Sequence, residues 1–127
     1  MTDGTDKSPA LATLEIRDME LEDLAGIFAL GERVFLATES PNLYRTWDEY
    51  DLIDYYSSDG EFCFVAEMEG RLVGFVIGTI IEKRKSAWTY GYLVWLGVEP
   101  ELEGQGVARK LVARLTDTFI EAGARIM

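Results

Sequence analysis

The chain has no histidine and a single cysteine, Cys63, in 127 residues. The first absence excludes Ser-His-Asp and Cys-His catalytic pairs and zinc sites built on histidine and cysteine clusters. The second excludes an intrachain disulfide. Positive charge is also scarce, with 12 Lys and Arg against 23 Asp and Glu and a net charge of −11. A general nucleic-acid binder normally presents a basic face, so that class is disfavoured. The acidic excess suits a cationic partner, such as an amine-bearing substrate, and equally suits a merely solubilising surface. No stretch approaches the roughly 18–20 apolar residues of a membrane span. The polar N-terminus has no apolar core of signal-peptide length. Together these absences predict a soluble, cytoplasmic protein that uses no metal and binds neither membrane nor nucleic acid.

What is present is a core. Hydrophobic residues make up 48% of the chain, too many for a disordered sequence. Residues 1–13 read as a loose tail and residues 14–127 as one domain. Leu14 to Arg17 alternates like a strand. The acids Glu20, Glu22 and Asp23 then suit a helix start, and Leu24, Ile27, Phe28, Leu30 and Val34 mark a helix to about Phe35. A second helix is predicted from Trp47 to about Tyr56, capped by Thr46 with Glu49 completing a capping box. Its aromatic residues either pack the helix on a sheet or line a pocket. Ser57 to Gly60 reads as a turn. Strands are predicted over Phe62 to Met68 and Arg71 to Ile81, joined by a hairpin at Glu69-Gly70. Gly74 and Gly78 in the second strand suggest bulges or close backbone approach. Glu82 to Ser86 is a charged turn, and Ala87 to Leu96 is the next strand.

The most informative stretch is Leu93 to Leu115, LVWLGVEPELEGQGVARKLVARL. It reads as a strand to Val98, a turn over Glu99 to Gln105, and a helix from near Gly106. Val107, Leu111, Leu115 and Phe119 recur every fourth residue and so share one helix face. The first N–H groups of a helix lack intrahelical partners, and the macrodipole adds partial positive charge there. Glycines at 104 and 106 let an anion approach the backbone closely, and Arg109, Lys110 and Arg114 add cationic charge. A pyrophosphate fits this description. The glycine pattern matches neither a dinucleotide fingerprint nor a Walker A loop.

Val98-Glu99-Pro100 followed by Glu103-Gly104-Gln105-Gly106-Val107-Ala108 resembles the phosphate-binding motif of the GNAT superfamily of acyl-CoA N-acyltransferases. Glu103 departs from the usual Gln or Arg. The resemblance implies an α/β (α+β) fold with a mixed sheet. Four antiparallel strands form a meander, two helices follow the first strand, and the coenzyme A loop and helix follow the fourth. Ala124 to Met127 then begins a strand parallel to the fourth. The resemblance further implies a helix and two strands beyond, so the sequence is expected to hold the N-terminal two-thirds of a domain. A pair of chains covering the exposed sheet edge is one way to complete it.

The implied activity is acetyl transfer from acetyl-CoA to a primary amine, whether a protein N-terminus, a lysine or a small amine. A non-catalytic acyl-CoA-binding or protein-interaction module of the same fold is the alternative. The resemblance assigns the pyrophosphate to Glu103, Gly104, Gln105, Gly106, Val107, Ala108 and Arg109, and the thioester carbonyl to Leu96, Gly97 and Val98. Tyr92 occupies the position at which some relatives carry a glutamate base, and Tyr90 lies two residues earlier on the same strand face. A phenol is poorly matched to a base at neutral pH, but suits holding a water or the amine. Glu39, Tyr44, Arg45 and Asp48 fall in the region that shapes the acceptor site.

Overall fold

Continuous apolar runs, buried because both sheet faces are covered, make strands of the central sequence, the Glu69-Gly70 turn joins two of them, and period-four runs make the helices. The computed structural model describes residues 13–36, 47–82 and 88–126. In order these form β1 (Leu14–Asp18), α1 (Leu24–Leu36), α2 (Glu49–Asp59), β2 (Cys63–Met68), β3 (Arg71–Glu82), β4 (Thr89–Val98), α3 (Val107–Glu121) and β5 (Arg125–Ile126). Short 3-10 turns occupy Leu21–Asp23, Gly60–Phe62 and Pro100–Leu102. The sheet order is β1-β2-β3-β4-β5. The first four strands pair antiparallel. β5 pairs parallel with β4, Tyr90 opposite Arg125 and Gly91 opposite Ile126. This is the expected mixed sheet.

Three local expectations change. Ser57 to Gly60 is not a turn, because α2 runs through Asp59 and passes directly into the 3-10 turn. α2 also starts later than its aromatic pattern suggested. Its cap is Asp48, whose carboxylate accepts the Asp51 N–H at 3.1 Å. Thr46, the expected cap, lies outside the described residues, as do Lys83, Arg84 and Lys85.

Two bulges set the geometry of the central strands. Ile77 pairs with Trp95 and Gly78 with Leu93, so Val94 is an extra residue in β4. Val94 and Trp95 consequently pack into the same core. Ala66 pairs with Gly74 and Glu67 with Leu72, so Val73 is extra in β3. The Val73 carbonyl accepts the Glu99 N–H at 2.9 Å, which anchors the chain where it leaves β4.

Each face of the sheet carries its own core. On one, Ile27 and Leu30 of α1, Leu52 of α2 and Trp47, just ahead of α2, lie over Cys63, Val65, Phe75, Ile77 and Trp95. On the other, Val107, Leu111, Leu115 and Phe119 of α3, all buried, cover Phe64, Ala66, Val73, Val76 and Val98. Burial of this kind stabilises by roughly 1.5–3 kcal/mol per large side chain. The α3 face is close because glycine makes it so. A Cβ on Gly78 would sit 2.7 Å from Leu115, and one on Gly91 would sit 2.6 Å from the Phe119 ring. Cys63 is fully buried, as its place in the strand suggested, and burial pushes its thiol up to about 12.

Candidate functional site

The site is built where β4 ends. After Val98 the chain makes a tight descent. Leu102 N–H donates to the Glu99 carbonyl at 2.9 Å, Glu103 N–H to Pro100 at 3.2 Å, and Gln105 N–H to Leu102 at 3.3 Å. Gly104 and Gly106 then adopt φ of +83° and +93°, the left-handed region that a side chain disfavours. The space beside both α-carbons is open, with no atom within 4 Å of where a Cβ would stand. Gly106 is the N-cap of α3, and the first helical bond runs from Lys110 N–H to Gly106 at 3.1 Å. The N–H groups of Val107, Ala108 and Arg109 therefore have no intrahelical acceptor, and the positive end of the α3 dipole faces the same opening.

That opening is a groove of about 360 Å³. Its walls are Leu96 and Val98 of β4, Leu102, and the loop and helix residues Glu103, Gly104, Gly106, Val107, Ala108 and Arg109. Val34 of α1 closes it on the far side. Apolar strand residues at one end and a backbone anion site at the other suit a ligand with an apolar arm and a phosphate group. Glu103 and Arg109 are both exposed, so the groove mouth carries one charge of each sign.

Eight of the ten residues expected at a coenzyme A site thus line one groove. The remaining two do not. Gly97 pairs with Phe75 and lies on the opposite face, where a Cβ would stand 2.7 Å from the Phe75 ring. Gln105 is half-buried in the turn, committed through its backbone to Leu102. Tyr90 and Tyr92 are half-buried, opposite Ile81 and Thr79. Thr79 alternates with Ile77 and Phe75, so both tyrosines lie on the face that α1 and α2 cover. The Thr79 hydroxyl donates to Asp59 at 2.7 Å, which places the end of α2 beside Tyr92. Asp48 caps α2, so its carboxylate already has a backbone partner. Glu39, Tyr44 and Arg45 lie outside the described residues. Among the described residues no cluster of three or more potential metal ligands occurs. No helix among them is long and apolar enough to cross a membrane.

Sequence reasoning passed over two residues. Val34 enters the groove from α1, a contact no local pattern announces. Glu99 is buried to 6% exposure and bonds Arg33 at 2.5 Å. An acid between a strand's last valine and a proline was the available signal.

Comparison with known proteins agrees with this geometry. The sequence profile described as the Acetyltransferase (GNAT) family matches residues 21–127. An acetyltransferase of Pectobacterium atrosepticum is 32% identical over 112 residues, covering 87% of this chain and 70% of that protein. A GNAT family acetyltransferase from Brucella melitensis, solved in complex with acetyl-CoA, superposes with a TM-score of 0.70 at 24% identity, over 88% of this chain and 71% of the other. An aminoglycoside acetyltransferase from an uncultured soil metagenomic sample, solved with sisomicin, gives 0.67 at 23% identity, over 91% and 75%.

Proposed function

The chain belongs to the acetyltransferase (GNAT) family and is an acyltransferase, and from that premise we propose that it transfers an acetyl group from acetyl-CoA to a primary amine by direct attack. The observation that carries this reading is the groove whose floor is the left-handed Gly104-Gly106 turn and the open N-terminus of α3. When bound there, acetyl-CoA supplies a thioester whose carbonyl carbon takes the amine nitrogen as the thiolate leaves.

The chain's own residues have separable tasks. The N–H groups of Gly104, Gly106, Val107 and Ala108 hold the pyrophosphate, Gln105 braces the turn through its bond to Leu102, and Arg109 adds charge at the mouth. Substitution elsewhere in the loop spares backbone donors, which makes Glu103 tolerable. The backbone from Leu96 to Val98 faces the thioester carbonyl and favours the negative charge that develops on it. Tyr92, with Tyr90 behind it, hydrogen-bonds the amine or the water that takes its proton. The acceptor enters from the α1–α2 side, on which Asp48 caps α2, and acceptor contacts are assigned to Asp48, Glu39, Tyr44 and Arg45. The exposed acids Glu49, Asp51 and Asp54 of α2 favour a cationic acceptor. Two acceptor types suit that side, an aminoglycoside-like amine, as in the metagenomic neighbour bound to sisomicin, and a peptide amine.

Calorimetric titration with acetyl-CoA tests the reading, on this chain and on Gly106→Trp. Saturable binding that disappears in the folded variant is the expected result, followed by release of free CoA when amines are screened. A folded chain that shows no binding, or a variant that binds as well as its parent, overturns it.

A further inference from the structure

We propose that Glu99 is a positioning residue, which with Arg33 sets the separation between α1 and the groove's loop. Glu99 is the buried charged residue among those described, and three kinds of bond converge on it. Its N–H donates to Val73 of β3 at 2.9 Å, and its carbonyl accepts Leu102 N–H at 2.9 Å. Its carboxylate takes Arg33 Nη2 of α1 at 2.5 Å, with Arg71 Nη2 of β3 at 3.6 Å. Arg71 also reaches Glu101 at 3.2 Å. The residue from which the loop departs is therefore tied to α1, to β3 and to the loop itself.

Stability alone is a weak reason for such an arrangement. A buried carboxylate pays a desolvation penalty that a well-packed apolar residue would avoid, while breaking such a pair leaves an uncompensated charge. What the arrangement supplies is direction. On the Glu99 side the space between α1 and the loop is a groove of about 540 Å³, bordered by Gly26, Ala29 and Leu72. Packing does not fill that space, so ion pairs rather than side-chain contact set the separation. Arg33 is followed by Val34, which forms the far wall of the acetyl-CoA groove. One turn of α1 thus grips the loop with one residue and shapes the groove with the next.

The inference rests on the acetyl-CoA reading, and its test separates the two. Acetyl-CoA titrations and hydrogen exchange are compared for the parent chain, Glu99→Gln, Arg33→Gln, Arg33→Lys and Arg17→Gln. Arg17 makes a half-buried network with Asp23 and Glu67, away from the groove, and serves as the control. The expected result is that Glu99→Gln and Arg33→Gln remain folded but weaken acetyl-CoA at least tenfold. Arg33→Lys should recover part of that loss, and Arg17→Gln should stay within twofold of the parent. Amides from Leu102 to Arg109 should exchange faster in Glu99→Gln and Arg33→Gln, with β1 and β2 unchanged. Folded variants with parental affinity and parental loop exchange overturn the proposal, as does an Arg17→Gln loss equal to that of Arg33→Gln. Should Glu99→Gln not fold, Arg33→Gln decides. A parent chain that fails to bind overturns the acetyl-CoA reading alone, and loop exchange still decides the role of Glu99.

Discussion

On the α3 face of the sheet, aliphatic side chains and one phenylalanine descend into shallow sites left by Gly74, Gly78 and Gly91. On the α1–α2 face the corresponding volume is taken by rings. Trp47 stacks on Phe75 at 5.3 Å and meets Trp95 edge-on at 5.2 Å, while Phe35 lies 5.1 Å from Trp47. The Trp47 indole N–H donates to the Phe28 carbonyl at 2.9 Å, and a Cβ on Gly31 would stand 2.2 Å from the ring. One face brings a helix close to strands so that its N-terminus meets the end of β4. The other fills the space between two helices and the sheet with rings. The difference teaches where precision is needed: the anion-binding helix end sits on the closely packed face, and the proposed acceptor side on the ring-filled one.

That contrast is breakable. Gly91→Val should have the largest effect, since the added carbons meet the Phe119 ring; overpacking here is expected to cost about 3 kcal/mol or more in urea unfolding. Gly31→Ala is its counterpart on the other face. It gains up to about 1 kcal/mol of helix propensity yet displaces Trp47. A net loss smaller than that of Gly91→Val would show the ring-filled face to be the more yielding. Leu111→Ala and Leu52→Ala, one on each face, should each cost about 2–5 kcal/mol. Only Leu111→Ala should also weaken acetyl-CoA binding, because Leu111 seats the first turns of α3.

Two pH dependences sharpen the comparison further. The Cys63 thiol on the ring-filled face is raised by burial from 9.0 to about 12. A raised acid contributes stability that is present below pH 9 and lost as pH climbs towards the folded value. The expected loss is roughly 1–2 kcal/mol between pH 9 and 10.5, and Cys63→Ala should flatten that part of the curve relative to the parent. The smallest effect concerns Asp23, held below its ordinary 3.8 first by its hydrogen bond to Arg17, against the opposing pull of burial. Its contribution is present above about pH 4 and fades as acid protonates it in the folded state. Arg17 is raised by the same bond and stays charged throughout. Both groups are partly solvated, so Arg17→Gln should remove less than about 1 kcal/mol at pH 7. A larger loss would place that network among the main supports of β1.

Much of the fold was legible because its signals are local. The four apolar residues of α3 declare their face through spacing alone, and all four are buried. Gly104 and Gly106 declare an unusual turn because no other residue takes left-handed backbone so readily. The Glu69-Gly70 hairpin needed only its own turn chemistry. α2 was less legible. Trp47 looks like its first residue but belongs to the core ahead of it, and Asp48, which resembles an acceptor contact, is engaged as the cap. Side-chain type alone does not tell the two apart; only the path of the chain distinguishes a cap from a contact.

The sequence by itself determined the helix that ends the groove, the glycine turn that opens it and the antiparallel pairing of β2 with β3, because each follows from spacing or turn chemistry within a few residues. The tertiary structure alone decided the bulges at Val73 and Val94, the side of β4 on which Gly97 lies, the entry of Val34 into the groove, and the partner of Glu99. These depend on which strands meet in which register and on contacts such as Arg33 with Glu99, 66 residues apart. No local preference specifies a meeting at that distance; packing of the whole sheet between its helices does.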